Sequence, residues 1–285
     1  MTPGIGHALG AMLCFGVGDL VYKRGAAAGA PAHQFLMVQA WFFAPLVLLY
    51  AWLSGSLRFS PGTGWGGLAG LFIFVGFYNF ARSLKSGSIS VNAPVFRLSF
   101  TVTVALAVLL LGEPLTAGKI AGLALALFAV WLLLGAPPAG AAGARGATRS
   151  SLTRVLVATV SVGFGNFIYK LGLLAGAAPA SLVVAQSAVV ITLATAFAGV
   201  VDRGIRPARA TLRYAPVAAV VLAGGFSFLV EGLARGNASV VVPIAQMGFV
   251  VTALLGLLFL HEPSTARKGV GLIAALAAIV SLARG

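Results

Sequence analysis

Long apolar runs, separated by short segments of glycine, proline or charged residues, follow one another along the whole chain. Transmembrane β-strands would alternate apolar and polar residues over about ten positions, whereas these runs are longer and evenly apolar. About 20 such residues form a helix that spans a bilayer. The pattern therefore predicts an all-α membrane protein with ten transmembrane helices. The predicted helices cover residues 5–24, 33–53, 64–85, 89–111, 117–134, 152–172, 180–201, 211–234, 238–260 and 267–283.

The second half of the chain repeats the first. The segment GVGDLVYKRGAAAGA (16–30) aligns with GFGNFIYKLGLLAGA (163–177) at an offset of 147 residues. Over 84–123 an offset of 149 makes 18 of 40 aligned residues identical. Each half contains five spans, an odd number, so the second repeat must lie inverted in the membrane, as in many secondary transporters. We predict a first five-helix repeat, a Gly/Ala/Pro-rich connecting loop and a second, inverted repeat at residues 1–135, 136–151 and 152–285.

The composition agrees with a membrane protein and argues against several soluble classes. Hydrophobic residues make up 60% of the 285 residues and charged residues 8%, whereas a soluble domain has about 25% charged residues. The net charge of +14 is dispersed between apolar runs, which argues against a nucleic-acid partner. Cys14 is the single cysteine, the three histidines are far apart, and nucleotide-binding or hydrolase motifs are absent from the sequence. We therefore expect no enzyme activity, no cofactor and no metal site.

Lysine and arginine divide unevenly between the two predicted membrane faces. The cation-rich face carries Lys23, Arg24, Arg82, Lys85, Arg145, Arg149, Arg154, Arg203, Arg206, Arg209, Arg213, Arg267 and Lys268. The other face, which also holds both termini and is called the terminal face below, carries Arg58, Lys119, Lys170, Arg235 and Arg284. The positive-inside rule places the cation-rich face in the cytoplasm. We predict a multi-pass protein of the cytoplasmic membrane with both termini outside.

Three pairs of motifs carry a family resemblance. SGSISVNAP and LGEPLT flank the fourth span, RGNASVVVP and LHEPST flank the ninth, and the glycine-rich first and sixth spans end in VYK and IYK. Together they resemble the EamA-type transporters of the drug/metabolite transporter superfamily over essentially the whole chain. The resemblance implies a polytopic metabolite carrier with a central cavity. The chain is similar in particular to YddG-type exporters of aromatic and other neutral amino acids.

Ionisable residues within spans are informative, because each costs about 2.5–3.5 kcal/mol on insertion scales. Asp19, Arg82 and Arg97 all lie in the half of the membrane nearer the cation-rich face. An ion pair of Asp19 with Arg97 or with Arg82 would close that side as a gate. The alternative is that these side chains snorkel to the interface. In the second repeat the counterpart of Asp19 is Asn166, that of Arg82 is Glu231 and that of Arg97 is Gln246, so the two gates are chemically unequal.

A proline within the fourth span and a glutamate in the loop after it recur at matching positions in the second repeat. Pro94 and Pro243 open matching helices, where a missing backbone donor leaves a carbonyl free for a substrate or a hinge. Both are also compatible with ordinary helix-start prolines. Glu113 and Glu262 lie in short loops before proline, and we expect them to cap helices rather than to carry protons.

Candidate substrate ligands are polar amides beside aromatic residues. Gln39 and Gln186 occupy matching positions in spans 2 and 7, and an amide can bind a zwitterion without adding charge. Interhelical hydrogen bonding is an equally ordinary role for such amides. Asn79 has the same two interpretations. Side chains that could line an apolar cavity, or simply pack, are Met37, Trp41, Phe77, Tyr78 and Met247.

These features predict a secondary-active exporter of a small, amino-acid-like substrate, working by alternating access through a central cavity. Neutral and aromatic amino acids are the expected substrate class, and the lipid bilayer is the other partner. A multidrug or lipophilic-cation exporter is an alternative that should depend on a membrane-embedded acid. A lipid-headgroup flippase, which needs a groove open to lipid, and a membrane scaffold without a cavity are further alternatives.

The predicted orientation can be tested by thiol labelling. In a chain with Cys14→Ser, a cysteine added at the C-terminus should react with a membrane-impermeant maleimide supplied outside intact cells. Labelling after lysis controls for the reactivity of the site. A C-terminal cysteine that reacts only after lysis would contradict the orientation.

Overall fold

The computed structural model describes residues 4–86, 89–133, 145–203, 205–259 and 265–284. No residue within these ranges is in a β-strand. The helices, in chain order, are α1 (Ile5–Ala27), α2 (Ala32–Leu53), α3 (Gly64–Ser86), α4 (Ile89–Arg97), α5 (Ser99–Leu111), α6 (Ala117–Leu133), α7 (Arg145–Leu174), α8 (Pro179–Asp202), α9 (Arg209–Arg235), α10 (Ala238–Gln246), α11 (Gly248–Phe259) and α12 (Ala266–Arg284).

The number of helical segments that could cross a membrane agrees with the sequence pattern. Within the described residues, nine segments are long and apolar enough to span a bilayer, and α6 is a further, shorter apolar helix. The prediction of an all-α membrane protein with ten spans is therefore confirmed. α7 begins at Arg145, inside the segment predicted as the connecting loop at 136–151. Its 30 residues extend about 45 Å, so its polar first turns project beyond a hydrocarbon core of about 30 Å.

The fourth and ninth spans are each broken into two helices. Pro94 and Pro243 lie inside α4 and α10 rather than at their first residues, and the breaks come four residues later, at Leu98 and Met247. Around each break the backbone turns by shorter-range hydrogen bonds, such as Leu98 N–H to Val95 O at 3.1 Å and its counterpart at Met247. Each proline thus lies five residues into its helix, within the first two turns, as its place in the predicted span indicates, and its ring disturbs the surrounding turn without ending the helix at its own position.

The two repeats interlock. The most extensive packing joins α3 to α7, α1 to α9 and α6 to α12, and each of these pairs takes one helix from each repeat. The first two contacts are the same contact made twice, since α1 and α3 of the first repeat correspond to α7 and α9 of the second. The buried core is therefore shared by both repeats.

Glycines allow the broken spans to approach the first helix of the opposite repeat. A Cβ atom added to Gly16 of α1 would lie 2.5 Å from the carbonyl oxygen of Gly248, and Thr252 Oγ1 donates a hydrogen bond to Gly16 O at 2.9 Å. The same arrangement recurs at Gly163 of α7. A Cβ there would lie 2.7 Å from a backbone oxygen of α5, and Thr103 Oγ1 donates to Gly163 O at 2.9 Å. These two contacts hold α11 and α5 against the bundle.

Charged side chains cap the start of α10 and the end of α9. The carboxylate of Glu113 accepts the backbone N–H groups of Ala238 and Ser239, at 2.8 and 2.9 Å, at the start of α10. Lys170 Nζ donates to two carbonyl oxygens at the end of α9, at 2.9 and 2.8 Å. The prediction that Glu113 caps a helix is confirmed, while Glu262 lies outside the described residues.

The glycine contact can be tested with a matched pair of substitutions in α1. Gly16→Ala should lower the free energy of unfolding by about 1–3 kcal/mol, because the new methyl group meets backbone atoms that cannot yield. Gly6→Ala is the control, since a Cβ at Gly6 meets no atom within 4 Å. It should be neutral or stabilise by up to about 1 kcal/mol through helix propensity. Equal stability of the two variants in denaturing-detergent titrations would contradict the close approach.

Candidate functional site

A buried ion pair lies at the centre of the bundle. Arg97 Nε donates to Asp19 Oδ2 at 3.0 Å, and Arg97 Nη2 donates to the second oxygen of the same carboxylate. Arg97 Nη2 also donates to the carbonyl oxygen of Phe15 at 3.2 Å. The two charged side chains are only 3% and 7% exposed. Such a bidentate arrangement supplies both charge neutralisation and fixed geometry to a guanidinium held away from water.

The ion pair is tied to the second repeat. Arg97 Nη1 donates to Gln246 Oε1 at 2.8 Å. Arg97 is the last residue of α4 and Gln246 is the last residue of α10, and the two are counterparts at the offset of 149 residues. The bond therefore joins the two helix breaks to each other. Because the two side chains are counterparts and touch each other, the pseudo-twofold axis that relates the repeats passes between them.

Arg82 does not take part in this cluster. Its side chain is exposed and its Nη1 donates to the hydroxyl of Tyr78 at 2.8 Å. The alternative pairing of Asp19 with Arg82 is therefore wrong, since Arg82 lies on the exposed side of α3 and Arg97 points into the bundle.

The counterpart of Asp19 in the second repeat is uncharged. Asn166 takes the place of Asp19 in the second repeat and is fully buried. Neither of its side-chain polar atoms has a hydrogen-bond partner in the part of the chain that the structure describes. The ionic contact at Asp19 is therefore not repeated at Asn166.

A small central cavity brings together the two predicted glutamines. Its volume is about 20 Å³, enough for about one water molecule. Gln39 reaches it from α2 and Gln186 from α8, one from each repeat. The rest of its wall carries no charged side chain and consists of Leu36, Ala40, Phe43, Ile73, Phe74, Phe77, Val190 and Phe226.

Two tyrosines that the sequence analysis did not single out orient these glutamines. Tyr22 donates its hydroxyl proton to Gln39 Oε1, and Tyr169 donates to Gln186 Oε1. Both tyrosines are buried, and they are counterparts at the same offset of 147 that relates the glutamines. That shared offset was the signal that could have found them. With each amide oxygen occupied, the amide NH₂ group is left as the hydrogen-bond donor for a ligand.

Phenylalanines from both repeats meet beside the glutamines. Phe77 and Phe226 are counterparts at an offset of 149, and their ring centroids lie 5.9 Å apart. Phe226 also contacts Phe43 at 5.9 Å and Tyr169 at 6.3 Å between centroids. Phe43 and Phe226 were missed by the sequence analysis, although Phe226 follows from Phe77 by the repeat. Phe43, Phe77 and Phe226 therefore form one packed side of the cavity wall.

Several predicted ligands lie elsewhere. Met37 and Met247 are fully buried in the packed core, away from the wall of the central cavity. Trp41 Nε1 donates to a threonine hydroxyl on α8 at 2.9 Å, and Asn79 Nδ2 donates to a carbonyl one turn earlier in its own helix at 2.9 Å. Tyr78 packs against a phenylalanine of α8. These five side chains bond or pack between and within helices, as the packing alternative expects, and they are not part of the wall of the central cavity.

Comparisons with known proteins agree with this architecture. The model of the EamA-like transporter family matches residues 2–135 and 150–284. An uncharacterized protein of Methanocaldococcus jannaschii is 35% identical over 71 residues, which are 25% of this chain and 52% of that protein. The chain thus spans about half the length of that relative. A crystal structure of another protein matches with a TM-score of 0.79 at 16% identity, over 98% of this chain and 95% of the other. At that identity the match shows a shared fold alone.

The buried ion pair can be tested with a double-mutant cycle. Asp19→Asn should lower the free energy of unfolding by about 3–5 kcal/mol, because it leaves the Arg97 charge buried and uncompensated. The combination of Asp19→Asn with Arg97→Gln should cost clearly less than the sum of the single changes. Arg82→Gln is the control and should change stability by less than about 1 kcal/mol. Strictly additive single and double variants would contradict the pairing.

Proposed function

Because this chain belongs to the EamA-like transporter family, we propose that it exports neutral and aromatic amino acids by alternating access through the central cavity. It is a multi-pass membrane transporter, and the substrate class and the transport cycle are the proposed steps. The proposal makes it a carrier whose residues bind and release a substrate without chemical conversion.

The proposed substrate class rests on one observation: Gln39 and Gln186 line the same cavity, between aromatic rings. Their amide NH₂ groups can donate to a carboxylate, and the surrounding phenylalanines suit an apolar or aromatic side chain. A cavity wall without charge favours a molecule with no net charge, since an ion would lose its hydration without gaining a counter-charge. A zwitterionic amino acid fits these conditions.

The lipophilic-cation alternative is less well supported. Such a substrate needs a free acid inside the membrane, and Asp19 is the acid at the centre of the bundle. Its carboxylate is occupied on both oxygens by Arg97. The aromatic walls alone would offer a cation about 0.5–2 kcal/mol.

The size of the cavity supports an alternating-access cycle. A space of about 20 Å³ cannot hold an amino acid, so the rings of Phe43, Phe77 and Phe226 must separate when a substrate enters. Breaks at Leu98 and Met247 place hinge points in the two spans that carry Arg97 and its partner Gln246. Separation toward one face at a time would expose the glutamines to alternate sides.

The contacts at the two faces differ in strength. At the cation-rich face, Asp202 contacts His33 Nε2 and accepts a hydrogen bond from Gln34 Nε2, both at 2.8 Å. At the terminal face the counterpart of Gln34 is Ser181, whose hydroxyl accepts the backbone N–H of Arg58 at 2.9 Å. We place the cation-rich face in the cytoplasm on the charge count, so cytoplasmic opening must break the stronger, carboxylate-containing contact.

Transport can be tested by counterflow of labelled amino acids into proteoliposomes. The wild-type chain should take up methionine, threonine or aromatic amino acids saturably. The Gln39→Ala, Gln186→Ala double variant should lose about tenfold or more in kcat/KM, since each lost hydrogen bond contributes about 0.5–1.5 kcal/mol. Asn79→Ala is the matched control, because it removes an amide outside the cavity. No uptake of any amino acid by folded protein, or equal uptake by the double variant, would overturn the proposal.

A further inference from the structure

A second and larger cavity opens on the side of the bundle. Its volume is about 430 Å³, within the range of ligand sites, and it lies between α1, α2 and α9. It shares no lining residue with the central cavity. We call it the lateral groove, and its defining residues are Tyr50, Ala223, Ser227, Phe228, Glu231 and Arg235.

The corresponding place in the other repeat is filled. The counterparts of Ala223 and Ser227 are Phe74 and Tyr78, at an offset of 149 residues. The ring of Tyr78 lies 4.9 Å from that of Phe197 and 6.3 Å from that of Phe74, measured between centroids. Small residues on α9 therefore leave open a space that aromatic rings occupy on α3. The groove is a departure from the repeat and not a general consequence of the fold.

The groove has the dimensions of one leaflet of a bilayer. Its residues on α9 run from Val220 to Arg235, which is about 22 Å along a helix, and one leaflet with its headgroup region is about 20–22 Å thick. Val220 is 59% exposed and Phe228 is 43% exposed, as expected where a transmembrane helix faces lipid. The groove therefore extends from inside the membrane to its surface at the terminal face.

Charges of both signs lie at the surface end of the groove. Arg235 Nη1 donates to the carboxylate of Glu231 one turn earlier, and the two side chains are 49% and 21% exposed. His7 of α1 lines the same end. The deeper walls are apolar apart from the Ser227 hydroxyl. The groove thus combines an apolar trough with a head region that holds one cation beside one anion.

We propose that the lateral groove binds one phosphatidylethanolamine molecule from the surrounding leaflet. Its acyl chain lies over Ala223 and Ser227, its phosphate faces Arg235, and its ammonium group faces Glu231. Two opposite charges on the lipid then match two on the protein, and the ammonium group can donate hydrogen bonds to the carboxylate. Phosphatidylcholine lacks those N–H donors, and phosphatidylglycerol has no cation for Glu231. This inference goes beyond the proposed transport function and does not depend on it.

Native mass spectrometry of the delipidated full chain tests the proposal, using the three lipids with identical acyl chains. One phosphatidylethanolamine should bind per chain, about tenfold more tightly than the other two lipids, as expected for charge-assisted hydrogen bonds. Ala223→Phe with Ser227→Tyr should remove this binding by filling the groove as in the first repeat. Ala124→Phe, on the exposed side of α6, is the control and should leave it unchanged.

Single changes in the head region keep the test decisive if the filled variant does not fold. Glu231→Gln should remove the preference for phosphatidylethanolamine over phosphatidylcholine, and Arg235→Gln should weaken both lipids. Tighter binding of phosphatidylglycerol, or no stoichiometric lipid, would overturn the proposal. A dimer mass that disappears on filling the groove would also overturn it, because a second copy of the chain would then be the occupant.

Discussion

Arg97 can lie inside a membrane because its charge and its hydrogen-bond donors are met within the protein. Asp19 neutralises it, the carbonyl oxygen of Phe15 accepts from it, and Gln246 binds it from the second repeat. An uncompensated guanidinium at this depth would cost several kcal/mol. The contact forms only when α1, α4 and α10 are together, so it couples the two helix breaks and requires both repeats to assemble around one centre.

Around that centre, the repeat preserves some contacts and changes others. The Tyr22–Gln39 bond recurs as Tyr169–Gln186, and this symmetry builds a cavity with one amide from each half. The replacement of Asp19 by Asn166 breaks the symmetry and leaves a buried amide without a partner among the described residues. Equal elements thus line the central cavity, while unequal elements distinguish its two sides. Under the proposed alternating access, this difference would distinguish the two openings.

The hydropathy pattern and the repeat offsets were sufficient to predict the spans and an ion pair involving Asp19, but the packing of one repeat against the other came from the structure. The cost of inserting a charge into the membrane indicates that Asp19 needs a cationic partner. Whether that partner is Arg82 or Arg97 depends on which side of α3 faces the bundle, and this cannot be seen in the sequence. The position of the helix breaks was also hidden, because Pro94 disturbs hydrogen bonds around it and the break appears at Leu98. The burial of Met247 in the core could not be predicted, because an apolar methionine within a span has the same sequence pattern whether it lines a cavity or packs.

Distances measured across both faces by pulsed electron paramagnetic resonance test the transport cycle most directly. In a Cys14→Ala background, spin labels at Arg24 and Arg213 report on the cation-rich face, and labels at Leu53 and Leu174 report on the terminal face. Alternating access predicts that saturating phenylalanine shifts the two distance distributions in opposite directions, one toward longer and one toward shorter values. Distributions that both stay unchanged, or that both lengthen together, would contradict a cycle centred on the Arg97 cluster.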